Sequence, residues 1–584
     1  MGRKRKNRGK EVDHHQHQPI EDPLTIKSSW FGSEIKWVSR HDDCRNYSSS
    51  LQDSSSNKNG SGAETVTANP NDNFNIIGGG GGYSKAKDIE DDIPATHQSL
   101  IAELNQLKQQ LMPAAQSCAD AINNYSNSTG SSSTTSTPTS TKNKNKQATT
   151  PQYEFRQARS ICNPYERLGD ISIRPHRYSN NSKRHRRKDS SSSSSSLFQF
   201  VNRSAIKLAN IDALLGFALT RSTNTKTTTT TKATPATSSS VTKDDEYFAF
   251  VDLCGAPGGF SEYILYRHMH PIQHSSEQKS IDTESHAAAT IDDCDSSTIP
   301  CYGFGMSLSG RNEEGKGVRW DLNHLKKHYH LQSNGEFTAN TDAATKTSAT
   351  NQKIGKDNQQ LLHYHVCSGI DGTGSIYNWD NVVELQQQIA MHLQQKNDGS
   401  NTRNSNESEL TMQHRQVHLV VADGGFDAQR DSDNQEVLAH HIVVSQTAAA
   451  LTLLRKGGIF VVKMFGFHEE LTKRMLCYLY GCFDKMTFVK PTSSRPASAE
   501  RYLVCCGYDG VGSNWDGLAW KQQQMKIAST ELQNTVNDCT PLNNLATEFD
   551  LDMLKLNVES CRSIVDYLHQ KRDAVGKEEH AKSD

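Results

Sequence analysis

Apolar and polar positions along this chain form a repeating pattern in which short apolar runs are followed by amphipathic stretches. The apolar run Phe248–Leu253 is typical of a buried strand, and the spacing of apolar residues over Phe260–Arg267 is typical of a helix. Five more runs have the character of strands: Tyr302–Met306, Val417–Ala422, Gly458–Met464, Met486–Val489 and Arg501–Cys505. Two more stretches, His440–Leu454 and Glu469–Tyr480, have helical spacing. Strands that alternate with helices predict an α/β fold with a Rossmann-like, doubly wound sheet.

Long polar stretches interrupt this pattern without destroying it. They are rich in Ser, Thr, Asn and Gln, and they cover Arg174–Ser196, Thr223–Thr242, Gln273–Ser297, Ser333–Asn358 and Gln394–Met412. Inserts of this length are tolerated between elements because the entropy of loop closure grows only logarithmically with loop length. We therefore expect one α/β domain over residues 151–570, with the inserts as disordered surface loops and 571–584 as a polar tail.

Residues 1–150 are mostly of low complexity, and their composition cannot bury enough apolar surface to offset the entropy of ordering them. Two islands differ from this background. The stretch from Trp30 to Val38 has enough aromatic residues to dock on another part of the protein. The leucines within Ala95–Leu111 recur at near-helical spacing, which predicts a short helix.

Composition narrows the cellular setting. The chain of 584 residues has a formal net charge of -2 and 34% hydrophobic residues, and its mean hydropathy is -0.72. Nucleic acid would therefore have to be bound through local basic patches. The thirteen cysteines form no C-x-x-C pair, no apolar run approaches the length of about 20 residues that spans a membrane, and the basic N-terminus lacks an apolar signal segment. We expect an intracellular protein with reduced thiols and with neither a membrane segment nor a metal site.

The most informative motif follows the first strand and reads Asp252-Leu-Cys-Gly-Ala-Pro-Gly-Gly-Phe-Ser261. A strand that enters a glycine-rich turn and then a helix can present free backbone N–H groups to an anionic ligand. The turn has neither the G-x-G-x-x-G order of dinucleotide-binding folds nor the Lys-Ser/Thr of a P-loop. It resembles the cofactor loop of the FtsJ-type (RrmJ-type) ribose 2′-O-methyltransferases, in which S-adenosylmethionine is bound.

Four charged residues are spread along the chain in contexts that suit the same chemistry. Lys207 lies in a predicted helix before the first strand, Asp423 and Lys463 end two apolar strands, and Glu500 precedes the last strand. Strand ends of one direction meet at the ligand crevice of a doubly wound sheet, so Asp423 and Lys463 should converge beside the glycine loop. In order and context the four residues resemble the Lys-Asp-Lys-Glu tetrad of the FtsJ-type enzymes.

Methyl transfer to a ribose hydroxyl explains why these residue types are needed. The 2′-hydroxyl must lose a proton as it attacks the methyl group, and a lysine accepts a proton only if its pKa falls well below about 10.4. We expect Lys463 to be this base, with its pKa lowered by desolvation and by the neighbouring cation Lys207. Asp423 and Glu500 would orient the lysines and the hydroxyl.

The resemblance narrows further to the cap-specific mRNA 2′-O-methyltransferases, which form cap-1 by modifying the first transcribed nucleotide of mRNA capped with 7-methylguanosine. It covers about residues 160–570 once the inserts are skipped, and it includes Asn163-Pro-Tyr-Glu166 and Gly369-Ile-Asp-Gly372. It implies a cofactor site formed by Asn202, Cys254, Gly255, Ala256, Pro257, Gly258, Gly259, Phe260, Ser375 and Ile376. It implies contacts with capped RNA through Asp433, Asn434, Gln435, Arg495 and Ser498.

Some features depart from the resemblance or leave alternatives open. The family has an acidic residue at the position of Ser375, and the nearby Asp371 is a candidate to replace it. The glycine-patch, guanylyltransferase-like and WW modules of the animal enzymes are not visible, so contacts with the transcription and capping machinery are open. The basic runs Arg3–Arg8 and Lys183–Lys188 suit nuclear import or RNA contact. Alternatives are methylation of the second cap nucleotide, of rRNA or of tRNA, and an inactive module that binds RNA or S-adenosylmethionine.

Overall fold

A computed structural model describes the folded parts of the chain. These are residues 27, 29–40, 95–128, 148–163, 200–220, 247–270, 299–308, 320–321, 362–394, 416–425, 434–512, 514–526 and 539–583. The five polar inserts lie almost entirely outside the described residues, as do both basic runs. All statements below concern the described residues.

One sheet of eight strands forms the centre of the fold. In chain order the strands are β1 Val38–Ser39, β2 Phe248–Leu253, β3 Cys301–Met306, β4 Leu362–Val366, β5 Val417–Ala422, β6 Leu454–Met464, β7 Phe483–Val489 and β8 Arg501–Tyr508. Across the sheet their order is β1-β7-β8-β6-β5-β2-β3-β4. Strands β4, β3, β2, β5 and β6 are parallel, and β8 lies antiparallel between β6 and β7. The sheet is therefore mixed, with a parallel half that confirms the doubly wound α/β prediction.

The helices lie against this sheet or beside it. They are α1 Ala95–Ser128, α2 Pro151–Cys162, α3 Arg203–Leu214, α4 Gly259–Met269, α5 Trp379–Gln394, α6 Gln435–Leu453, α7 Glu470–Cys482, α8 Gly517–Gln524 and α9 Thr540–Ser583. Every residue of β2, β3 and β5 is buried. Burial on both faces explains why these strands are almost continuously apolar rather than alternating, as parallel strands covered by helices are.

The predicted strands are present with small shifts at their ends, and β2 and β5 begin and end at the predicted residues. Strand β4 was not predicted, because its sequence Leu-His-Tyr-His-Val contains two histidines and directly follows a polar insert. The histidines are accommodated by aromatic stacking, since His363 stacks on Tyr302 of β3 and His365 stacks on Phe304.

Both islands in the N-terminal region pack against the rest of the protein. The helix predicted over Ala95–Leu111 is present as the longer α1, and it packs along α9 through Leu104, Leu107, Val558 and Cys561. The residues after 570 continue α9 as far as Ser583. No helix among the described residues is both long and apolar enough to cross a membrane.

Candidate active site

The register of the sheet brings four chain segments to one edge. Leu253 of β2 pairs with Ala422 of β5, and Ala422 pairs with Val462 of β6. The residues that follow these positions, Cys254, Asp423 and Lys463, therefore lie side by side where the parallel strands end. Antiparallel β8 pairs Tyr502 with Lys463 and Arg501 with Met464, so Glu500 reaches the same edge from the opposite chain direction. The convergence expected of Asp423 and Lys463 is present.

The four tetrad residues form two ion pairs. Lys463 Nζ lies 3.1 Å from Asp423 Oδ1 and donates a hydrogen bond of 2.8 Å to the backbone oxygen of Asp423. Lys207 Nζ donates to Glu500 Oε2 at 2.8 Å. All four side chains are largely shielded from solvent, with exposed fractions between 10% and 17%. At this burial an ion pair is screened far less by water than a surface pair is.

Two hydroxyl groups that the sequence analysis missed complete the coordination of Asp423. Ser204 Oγ donates to Asp423 Oδ2 at 2.6 Å, and Tyr502 OH donates to Asp423 Oδ1 at 2.9 Å. Ser204 and Lys207 are three residues apart in α3, so one face of that helix contacts both halves of the tetrad. The helical spacing was a usable signal for Ser204. The pairing of Tyr502 with Lys463 depends on the β6–β8 register, which the sequence does not reveal.

The charges of the site control the proton affinity of its groups. Burial alone would raise the pKa of Glu500, but the ammonium groups of Lys207, Lys463 and Lys490 hold that pKa well below its usual value. Burial lowers the pKa of Lys463, but the carboxylates of Asp423 and Glu500 outweigh burial and raise that pKa above its usual value. The expected lowering of the Lys463 pKa is therefore absent here, because Lys463 contacts a carboxylate directly while Lys207 is paired with Glu500.

The glycine loop joins β2 to α4, and its backbone conformation requires glycine at Gly258. Gly258 precedes α4 with φ of 110° and ψ of 27°, a left-handed region that favours glycine. A Cβ atom on Gly259 would lie 1.9 Å from Asn202 Oδ1, so Asn202 packs directly against the loop. The same Asn202 oxygen caps α3 by accepting from the backbone N–H of Ser204 at 3.0 Å. Asn202 therefore links the cofactor-loop candidates to the helix of Lys207.

A second loop, between β4 and α5, contains Ser375 and Ile376. Asn381 of α5 is fully buried and donates to the backbone oxygen of Ser375 at 3.0 Å. Asp371 accepts from the backbone N–H of Thr373 at 2.8 Å and from Asn378 Nδ2 at 2.8 Å. The carboxylate of Asp371 therefore organises its own loop, and both of its oxygens have partners within that loop.

Four of the five candidate RNA contacts lie in the part of the chain that is described. Asn434 and Gln435 are at the beginning of α6, and Arg495 is exposed in the segment before Glu500. Ser498 Oγ donates to the backbone oxygen of Arg495 at 2.8 Å. Asp433 lies outside the described residues.

Asp252, at the end of β2, is a buried carboxyl group directly beneath the glycine loop. Ser261 donates two hydrogen bonds to its Oδ2 atom, at 2.7 Å from the hydroxyl and 3.1 Å from the backbone, whereas its Oδ1 atom has no hydrogen-bond partner. Burial raises the pKa of Asp252 to about 7; the bonds from Ser261 oppose this shift, and the nearby Asp423 adds to it.

This raised pKa predicts that the contribution of Asp252 to the stability of the folded protein decreases as pH increases. The folded state keeps the proton of Asp252 up to about pH 7, while the unfolded state releases it near the ordinary aspartate pKa of 3.8. The full loss between those values is about 4 kcal/mol. The thermal midpoint of the wild type should therefore fall, relative to that of Asp252→Asn, as the pH rises from 5 to 8. Parallel midpoint curves for the two proteins would contradict the raised pKa, since all other titrating groups are common to both.

Comparisons with known proteins agree with this geometry. Residues 364–508 match the family of FtsJ-like methyltransferases. The chain is 28% identical over 414 residues to the cap-specific mRNA (nucleoside-2'-O-)-methyltransferase 1 of Drosophila melanogaster, a match that covers 70% of this chain and 36% of that protein. It is 23% identical over 418 residues to the inactive cap-specific mRNA (nucleoside-2'-O-)-methyltransferase 1B of Caenorhabditis briggsae, over 71% of this chain and 36% of that protein.

The matched region is one part of those relatives, because the chain spans about a third of their length. Among solved structures, a ribosomal RNA methyltransferase from Plasmodium falciparum aligns with 14% identity and a TM-score of 0.23, covering 45% of this chain and 87% of the other. No group of three or more His, Cys, Asp or Glu side chains that could hold a metal ion occurs in the described part of this chain. One segment of the chain thus matches the FtsJ-like methyltransferases, and 70% of the chain is similar to the cap-specific mRNA (nucleoside-2'-O-)-methyltransferase 1 of Drosophila melanogaster.

Proposed function

We propose that this protein transfers a methyl group from S-adenosylmethionine to the 2′-oxygen of the first transcribed nucleotide of capped mRNA. The observation that carries the proposal is the assembled tetrad, in which Lys207, Asp423, Lys463 and Glu500 meet at the end of the strand that leads into the glycine loop. One matched relative is named inactive. The complete tetrad here supports an active enzyme over an inactive module.

The glycine loop and its surroundings fit the proposed cofactor. The backbone from Cys254 to Phe260 can approach a ligand closely, and the N-terminus of α4 attracts a carboxylate. Asp252 Oδ1 has no hydrogen-bond partner and lies beneath the same loop, and the carboxylate form of Asp252, which predominates above about pH 7, suits a ligand with an ammonium group. Ser375 and Ile376 would hold the adenosine part. When bound, S-adenosylmethionine supplies a methyl group bonded to a positively charged sulfur.

The side chains of the tetrad would prepare the ribose hydroxyl. Asp423 holds the amine of Lys463 through its carboxylate and its backbone oxygen, and Glu500 holds Lys207. Lys463 would accept the proton of the 2′-hydroxyl, and Lys207 would keep a positive charge beside the oxygen. Because Asp423 and Glu500 raise the pKa of Lys463, the neutral amine forms at alkaline pH, and the rate of methyl transfer should increase with pH.

RNA would approach across the segment that ends at Glu500 and across the beginning of α6. Arg495 is exposed there and can pair with a phosphate, while Ser498 and Gln435 offer hydrogen-bonding groups. Restriction to capped RNA is supported by the similarity to the cap-specific enzymes rather than by a described cap pocket.

Capped and uncapped transcripts of equal sequence decide between the candidate substrates. We expect the full-length protein to methylate the capped RNA much faster, and we expect mass spectrometry of nuclease digests to place the methyl group on the first transcribed nucleotide. Equal rates on the two RNAs would contradict the cap proposal and favour rRNA or tRNA. A methyl group on the second nucleotide would favour the cap-2 alternative, and cofactor binding without turnover on any RNA would favour the inactive module.

A nuclear location and contact with the capping machinery belong to the same proposal, since capped transcripts arise where RNA is synthesised. The basic runs Arg3–Arg8 and Lys183–Lys188 support nuclear import, although both lie outside the described residues. Imaging of the tagged chain in cells tests the location, and a cytoplasmic signal alone would contradict it.

A further inference from the structure

The aromatic island near the N-terminus docks beside the tetrad. We call residues 29–32 the strap and residues 490–494 the buttress turn. Trp30 donates its backbone N–H to the backbone oxygen of Lys490 at 3.1 Å, and its indole Nε1 donates to the backbone oxygen of Ser494 at 3.1 Å. Ser29 forms a bridge with Pro491. The strap therefore holds both ends of the buttress turn.

The buttress turn contacts Glu500 at two points and Ser498 at a third. Ser494 Oγ donates to Glu500 Oε1 at 2.7 Å, which leaves Glu500 Oε2 to accept from Lys207. Lys490 Nζ donates to the backbone oxygens of Glu500 at 2.5 Å and of Ser498 at 2.7 Å. Hydrogen bonds from the buttress turn therefore hold both the carboxylate and the backbone of Glu500.

The same turn is also tied to the helix that contains Lys207. Asn210 is fully buried in α3, and its Oδ1 atom accepts from the backbone N–H of Thr492 at 2.8 Å and from the Thr492 hydroxyl at 3.2 Å. Lys207 is one turn before Asn210 in α3. The helix and the turn are therefore fixed relative to each other, and they place the two members of the Lys207–Glu500 pair.

The polar side chains of this network are buried, which is energetically unfavourable unless they are hydrogen-bonded. Lys490 has an exposed fraction of 0% and Ser494 has one of 1%. Burial of an amine is unfavourable unless the amine is hydrogen-bonded, and the Lys490 amine donates to Ser498 and Glu500. A connection between β7 and β8 needs no buried lysine to close. The presence of the buried network is therefore better explained by its contacts with the segment that contains Ser498 and Glu500.

We propose that the strap and the buttress turn set the position of the Glu500 carboxylate, so that Trp30, Lys490 and Ser494 are positioning residues for methyl transfer. The inference rests on the proposed function, because Glu500 is the group through which the three residues act. It assigns a role to an N-terminal island more than 400 residues away from Glu500 in the sequence.

The test compares variants that each lose one hydrogen bond. Ser494→Ala removes the donor to Glu500, and Trp30→Phe removes the indole N–H while retaining an aromatic ring. Thr487→Val is the matched control, because the Thr487 hydroxyl donates to the backbone oxygen of Lys36 at 2.7 Å and so joins the same N-terminal segment away from the buttress turn. Ser494→Thr restores a hydroxyl group.

We expect Ser494→Ala to lower kcat on capped RNA roughly tenfold, the value of one hydrogen bond to a charged group, with KM for RNA and Kd for S-adenosylmethionine nearly unchanged. Trp30→Phe should lower kcat less, Ser494→Thr should recover most of the rate, and Thr487→Val should match the wild type. A kcat of Ser494→Ala and Trp30→Phe equal to that of an active wild type would overturn the positioning role and leave the proposed function intact.

Amide hydrogen exchange gives a readout that does not depend on activity. Exchange over residues 495–502 should be faster in Ser494→Ala and Trp30→Phe than in the wild type and in Thr487→Val. If the wild type methylates no RNA, the proposed function fails, and exchange then decides whether the strap and the turn fix Glu500. Unchanged exchange in both variants would overturn the inference in that case too.

Discussion

Replacement of Lys463 with alanine is expected to lower the rate of methyl transfer by about 10²–10⁴-fold, the usual contribution of a general base. Affinity for S-adenosylmethionine should remain nearly unchanged, because the Lys463 amine contacts Asp423 and would act on the ribose hydroxyl. The fold should survive, since Ser204 and Tyr502 still donate hydrogen bonds to the buried Asp423 carboxylate. Single-turnover rates on capped RNA, calorimetric cofactor affinity and the thermal midpoint measure these three effects.

Lys463→Arg separates proton transfer from charge at the same position. A guanidinium group keeps its proton near neutral pH, so this variant should be almost as slow as the alanine variant. An arginine enzyme with a near-normal rate would show that Lys463 only places a positive charge beside the hydroxyl.

The pH profile gives a further check on the role of Lys463. Two carboxylates raise the pKa of Lys463, so the wild-type rate should rise with pH as the amine loses its proton. Glu500→Gln removes one of these two charges and should therefore move the rising part of the profile to lower pH, whatever its effect on the maximum rate. If the pH–rate profiles of Glu500→Gln and the wild type rise at the same pH, the increase in rate reflects the deprotonation of a group other than Lys463.

The sequence was sufficient to predict four of the five parallel strands, all but β4, and the convergence of Asp423 with Lys463. Both follow from local properties: β2, β5 and β6 are apolar runs, and parallel strands with matching ends bring the following residues together. The glycine loop was recognisable because its spacing is local as well. Identifying Glu500 as a site residue required the resemblance to a known tetrad, because Glu500 reaches the site from an antiparallel strand.

What the sequence did not reveal depends on contacts between distant segments. Lys490 resembles a surface lysine in sequence, and only the fold shows that its amine is buried against Glu500. The docking of Trp30 on Ser494 joins positions 464 residues apart. The sequence predicted that Asp423 lies near Lys463, but it did not show that the two groups are in contact at 3.1 Å while Lys207 pairs with Glu500, so the sign of the Lys463 pKa shift was predicted wrongly.

Gly258→Val is expected to weaken binding of S-adenosylmethionine by about 10- to 100-fold. Gly258 has φ of 110°, and a β-branched residue in this conformation is strained by about 1–3 kcal/mol. Relief of the strain would shift the turn that leads into α4, and each 1.4 kcal/mol lost from binding is a factor of ten in Kd. The added side chain would also occupy space that the methionine part needs near the backbone.

Gly457→Val is the matched control for this change. Gly457 also has a positive φ, of 78°, and no atom lies within 4 Å of a Cβ built there. It is near the beginning of β6, at the other end of the strand from Lys463, so its replacement adds backbone strain without reaching the glycine loop. We expect similar decreases in the ligand-free thermal midpoint of the two variants, with weakened cofactor binding in Gly258→Val alone. A much larger decrease for Gly258→Val would show that the glycine is needed for folding, and normal affinity in that variant would show that the cofactor binds elsewhere.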